Sequence, residues 1–130
     1  MQSKFLMALP FVALAATANA QTYTAQNKVE VTPVTNSSFS VPSSGRYGAQ
    51  GTWCAAADYA MRVLGQSGTT RVYIQQAKAA NSGPVTFGLD PGTAAPQSVF
   101  SVGASLDVPG SNLSIDHAIQ FCRTISRSSP

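Results

Sequence analysis

Apolar residues fall at helical spacing in two stretches of the chain and alternate with polar ones in shorter runs between them. In the first stretch, WCAAADYAMRVL, the positions Trp53, Ala56, Ala57, Ala60, Met61 and Leu64 repeat as one face of a helix would. The stretch holds four alanines and neither Gly nor Pro, so backbone propensity agrees with the pattern. Thr52 stands where a cap belongs, and Gly65 follows the last apolar residue, where a left-handed stop is easy. These features predict a helix over 52–64 with that stripe buried. Asp58 and Arg62 would then face solvent as an ion pair four residues apart, worth ~0.3 kcal/mol.

The second helical stretch begins at Ser114, a capping residue, and carries Ile115, Ala118, Ile119, Cys122 and Ile125 on one face, with Phe121 at its margin. Asp116 lies in the first turn, and Arg123 and Arg127 lie at or beyond the far end, so the charges suit the helix dipole. A helix over 114–125 is expected. Between the two stretches, RVYIQQA (71–77) alternates as a strand does, although the AKAAN that follows would also suit the start of a helix. Val85-Thr86-Phe87 after Pro84, and the run 97–102, are further strand candidates, separated by the turn signals Asp90-Pro91-Gly92 and Pro109-Gly110.

Upstream, residues 21–51 are rich in Ser, Thr, Asn, Gln and Gly. Their only alternating run is Lys28 to Thr32, broken by Pro33, which fits an edge strand near 28–32. The stretch NSSFSVPSSGRYGAQG (36–51) holds almost every turn-forming residue type. The expectation is a flexible arm or linker over 21–51 and a compact domain over 52–130. The fold class expected is α+β: two helices, about 52–64 and 114–125, packed on one face of a small antiparallel sheet.

The first twenty residues read differently from the rest. Lys4 precedes an apolar run from Phe5 to Ala16, and Ala18-Asn19-Ala20 supplies a small-x-small cleavage site. This is the pattern of a secretory signal peptide over 1–20, and the apolar run, about 12 residues, is short of the roughly 20 a membrane span needs. The mature chain would begin at Gln21 and work in the periplasm or outside the cell, with no transmembrane segment.

Composition narrows the class. A chain of 130 residues suits one domain. Charged residues make up 10% against roughly 25% in an average domain, which excludes a highly charged disordered chain. The formal charge of +3 includes Lys4 and falls when the leader is removed. No dense Lys/Arg stripe interleaved with aromatics is present, which argues against a nucleic-acid partner. Arg62, Arg71, Lys78, Arg123 and Arg127 would be the basic face for an anionic envelope polymer or an acidic protein surface. Tyr23, Phe39 and Tyr47 would make the arm a docking segment.

Two cysteines carry the sharpest chemical signal. Cys54 lies in the first turn of the early helix and Cys122 near the end of the late one, 68 positions apart, in a chain expected to enter an oxidising compartment. A disulfide would bring their Cα atoms to about 6 Å and stabilise the fold by ~4 kcal/mol in the chain-entropy account. The competing reading makes Cys54 a nucleophile activated by the helix dipole, with His117, the single histidine, as base and Asp116 or Asp58 orienting it. One His beside two disulfide-bonded cysteines builds no zinc site, so neither metal nor cofactor is expected. Gly65-Gln66-Ser67-Gly68 departs from a serine-hydrolase elbow at Thr69. The sequence therefore points to a small exported, non-enzymatic binding or accessory protein of the cell envelope, partnered by an envelope protein or an anionic polymer. The alternative is a thiol-dependent hydrolase or transferase using Cys54 and His117.

Overall fold

The structure is a computed structural model that describes residues 21–43, 48–79, 83–97 and 105–123. In chain order it contains β1 (Tyr23–Thr24), β2 (Glu30–Pro33), β3 (Ser38–Val41), α1 (Gly48–Arg62), β4 (Arg71–Gln76), β5 (Val85–Gly88), β6 (Asn112–Ser114) and α2 (Ile115–Ala118). Helical backbone resumes over 120–123. The six strands form one sheet in the order β1-β2-β3-β5-β4-β6. All named pairings are antiparallel. The fold is α+β, with the helices against the sheet and a Cys54–Cys122 disulfide, as the sequence predicts.

Alternation along the strands explains which face meets the helices. Val31, Phe39, Val41, Val72, Ile74, Val85 and Phe87 are all fully buried, whereas Thr32, Ser40, Tyr73 and Thr86 between them stay at least partly exposed. The inward residues meet Trp53, Ala56, Tyr59 and Ala60 of α1 and Ile115 and Ala118 of α2 in one cluster. Aromatic rings fill its centre. Phe39 lies 4.5 Å from Tyr59 and 6.0 Å from Phe87, and Phe87 meets Trp53 edge-on at 5.0 Å.

Several expectations require correction. Residues 21–43 are no arm: they supply β1, β2 and β3, and β3 lies inside the sheet between β2 and β5. The domain therefore begins well before Thr52. The SFSV run alternates inward Phe39 and Val41 with hydroxyl residues, and burial of those two side chains outweighs the turn-forming composition around them. The expected edge strand near 28–32 is β2, shifted to Glu30–Pro33 and flanked by β1. Pro33 stands at its end, beyond the two residues that pair with β1.

The early helix starts at Gly48 rather than 52. Thr52 is thus interior, and its hydroxyl donates to the carbonyls of Pro42 and Gly48 at 3.1 and 3.3 Å. Gly65, at φ +70, allows Gln66 N–H to reach back to the Ala60 carbonyl and close the helix end. Asp58 is fully buried instead of solvent-facing, while Met61 and Leu64 are only half-buried. The late helix begins where expected: the Ser114 hydroxyl accepts from His117 N–H. Of the strand expected at 97–102, Gln97 makes a single parallel bridge to Ser111, and 98–102 lie outside the described residues. Residues 1–20, Tyr47, Ile125 and Arg127 also lie outside them.

The integral placement of β3 predicts that Phe39→Ala lowers unfolding free energy by about 3–5 kcal/mol. Urea denaturation of the mature chain checks this; a change below about 0.5 kcal/mol would mean that the segment is not part of the core.

Candidate functional site

Cys54, within the buried stretch Gly51 to Ala60 of α1, is joined to Cys122 with their Cα atoms 5.1 Å apart, and both residues are buried. No cysteine is free. The bond ties α1 to the helical turn beyond α2. With its sulfur so bonded, Cys54 offers no thiolate. His117 is exposed on α2, where Ile115 and Ala118 face the core, and its ring lies 6.0 Å from that of Phe121. The structure brings Cys54 to Cys122. It does not supply His117 with the orienting carboxylates the catalytic reading needs. Asp58 is held elsewhere by other residues. The Asp116 side chain packs over Gly68, where a Cβ would collide with it, and Asp116 N–H donates to Gly68 O at 2.9 Å.

The polar centre that the sequence did not reveal is built on Asp58. Tyr23 Oη donates to Oδ2 at 2.8 Å, Gln26 N–H to Oδ2 at 3.1 Å, Gln26 Nε2 to Oδ1 at 3.0 Å, and Arg62 Nε to Oδ1 at 2.9 Å. A buried carboxylate without such partners would be strongly unfavourable. Arg62 itself remains largely exposed, which limits the worth of the ion pair alone. Asn27 adds a bond from Nδ2 to Gly51 O at 2.9 Å. Together these contacts pin the β1–β2 segment to α1. The signal available in the sequence was the run Ala55-Ala56-Ala57: small apolar residues all round a helix suit burial on every side, which leaves an embedded Asp needing partners from elsewhere. Tyr23 has its pKa raised above 10.0, first by burial and then by the hydrogen bond to Asp58 and its charge, against a smaller opposing effect of Arg62.

The expected basic face is dispersed in part into internal contacts. Arg62 binds Asp58, Arg71 binds the side chain and carbonyl of Asn112, and Lys78 lies 3.9 Å from Asp107. Arg123 is exposed. Among the described residues, no three His, Cys, Asp or Glu side chains gather where a metal ion would be held. No helix among them is long and apolar enough to cross a membrane.

On the sheet face turned away from α1 lies an open groove of about 370 Å³. Ser38 of β3, Thr86 of β5 and Gln75 and Gln76 of β4 line it. An irregularity in the β4–β5 register between Ile74 and Gln76 interrupts the alternation there. The turn after β2 contributes Val34 and Thr35 to one side, and the loop after β5 contributes Gly92 and Thr93. Gln75 Nε2 donates to the Asp90 carbonyl at 3.0 Å, and its amide lies against Gly88, where any Cβ would displace it. No family model, curated protein or solved structure matches the chain.

The Asp58 centre predicts a definite pH response. Because the folded pKa of Tyr23 lies above its ordinary 10.0, its contribution is fully present below pH 10.0 and is lost as pH rises through the raised folded value. Tyr23→Phe should therefore lower stability by about 1 kcal/mol at neutral pH through loss of the hydrogen bond and flatten the decline above pH 10.0. Some decline should persist, because burial also raises the pKa of Tyr59. Chemical denaturation across neutral and alkaline pH measures both effects; an unchanged alkaline slope would contradict the role of Tyr23.

Proposed function

We propose that this chain is a small exported, non-enzymatic binding or accessory protein of the cell envelope. The observation that carries this reading is the Cys54–Cys122 disulfide within the fold. Such bonds persist in oxidising compartments and are rare in reducing ones. The bond agrees with the leader pattern at 1–20. It also occupies the only sulfur positions from which a thiol mechanism would start.

What the bond provides is rigidity for a surface. The middle of the buried helix is tied to the chain beyond α2, and the β1–β2 segment is tied to the same helix through Asp58. A scaffold held in this way presents loops and sheet edges at fixed positions, which lowers the ordering cost of binding. An anionic polymer is the less favoured partner, since Arg62, Arg71 and Lys78 make contacts within the chain. A protein or a neutral polymer of the envelope suits this surface better.

Production of the full chain in a Gram-negative host tests the proposal. The expected result is recovery from the periplasmic fraction as a chain starting at Gln21. Replacing Cys54 and Cys122 together by Ser should cost ~4 kcal/mol without changing any hydrolytic activity of the purified protein. Cytosolic retention, or a double variant of unchanged stability that has lost a hydrolytic activity, would contradict it.

A further inference from the structure

We infer that the groove on the outer sheet face binds a neutral, hydroxyl-rich saccharide. This deepens the binding-protein reading and rests on it. The groove's side chains point to the ligand class. Thr86 and Thr93 present hydroxyls and Gln76 a carboxamide, beside Thr35 and Ser38, whose hydroxyls bond to each other, and Gln75, whose Nε2 is held by Asp90 while its Oε1 stays available as an acceptor. Hydroxyls and carboxamides both donate and accept, as each sugar hydroxyl does. None of the lining side chains is charged, and the Asp90 carboxylate lies 3.5 Å from Gln75 Nε2, so a phosphate or carboxylate ligand would find no cation there. A wholly apolar ligand would strip water from the same hydroxyls and amides without replacing their hydrogen bonds.

Local backbone features shape this floor. Gln75 and Gln76 adjoin each other in sequence, and two neighbours on a regular strand would point to opposite faces. The break in register between Ile74 and Gln76 is where both come to line the groove. Gly88 lacks the Cβ that would push the Gln75 amide away, so that amide lies across the sheet and donates to Asp90 O. Thr35 and Ser38 are already linked through their hydroxyls at 2.7 Å, which fixes the side formed by the β2–β3 turn. At the rim, Val34 is 56% exposed and offers an apolar patch to the carbon face of a sugar ring. A volume of about 370 Å³ falls at the small end of ligand sites. It suits a disaccharide or the end of a longer glycan.

The test is a titration of the ¹⁵N-labelled, oxidised mature protein with the neutral disaccharides maltose and N,N′-diacetylchitobiose, and with trigalacturonate as an acidic control. Saturable shifts at the Gln75 and Gln76 side-chain amides and at the backbone of Thr35, Ser38 and Thr86 are expected for at least one neutral sugar, with a Kd of about 1 mM. Thr86→Val and Thr93→Val should each weaken that binding by about tenfold while leaving the spectrum of the α1 core unchanged. Thr93 lies on the exposed loop, so its variant keeps the test sound if Thr86→Val perturbs β5. No groove shifts with either neutral sugar, shifts only with trigalacturonate, or binding undiminished in both variants would overturn the proposal. Recovery from the periplasm with the disulfide intact, alongside a silent groove, would locate the failure in the saccharide assignment and leave the exported binding protein standing.

Discussion

The rest of the structure depends on one constraint: α1 is buried without interruption from Gly51 to Ala60. A helix exposed on one side can leave its polar groups to water, but one enclosed on every side must satisfy them within the protein. Small residues make the enclosure possible. Ala55, Ala56, Ala57 and Ala60 let neighbouring chain approach closely, and Trp53 and Tyr59 fill the wider gaps against Phe87 and Phe39. The three non-alanine groups that need partners each recruit a different part of the chain. Thr52 reaches Pro42, Cys54 bonds to Cys122, and Asp58 gathers Tyr23 and Gln26. Trp53 Nε1 is the exception, the one buried side-chain nitrogen or oxygen among the described residues without a hydrogen-bond partner.

Satisfying the helix in this way divides the surface chemistry of the molecule. Charges are scarce, and several serve internal contacts: Asp58 with Arg62, and Lys78 with Asp107. The inward face of the sheet is apolar because it covers α1, while the groove on its outward face is lined by hydroxyls and amides. Such a groove offers hydrogen bonding of both senses on a stiff frame. The same frame holds Cys54 in a bond to Cys122, so neither sulfur is a free thiol.

Much of this frame was legible in the sequence where the local signal and the tertiary demand agree. The alternation of Val72 and Ile74 gave a strand that runs from Arg71 to Gln76, and Ser114 capped the helix it was expected to cap. The two cysteines in a chain with a leader pattern predicted their own pairing. Illegible features were those that depend on distant partners. Ser38-Phe39-Ser40-Val41 alternates, but its serines and its flanks resemble a loop until β2 and β5 are set beside it. Asp58 sits four residues before Arg62 like any surface ion pair, and only Tyr23 and Gln26, over thirty residues earlier, make its burial tolerable. The groove depends on a register break and on Gly88, neither of which has a signature in hydrophobic periodicity.

The most direct test of the account is the redox state of the two cysteines in the protein as exported. Purified without reductant, denatured in iodoacetamide and weighed intact beside a reduced sample, the chain should take up no label before reduction and should weigh two hydrogen atoms less than its unlabelled reduced form. Two labels entering the unreduced protein would contradict the account: α1 would then hold a free thiol, and the chemistry of Cys54 would have to be reconsidered.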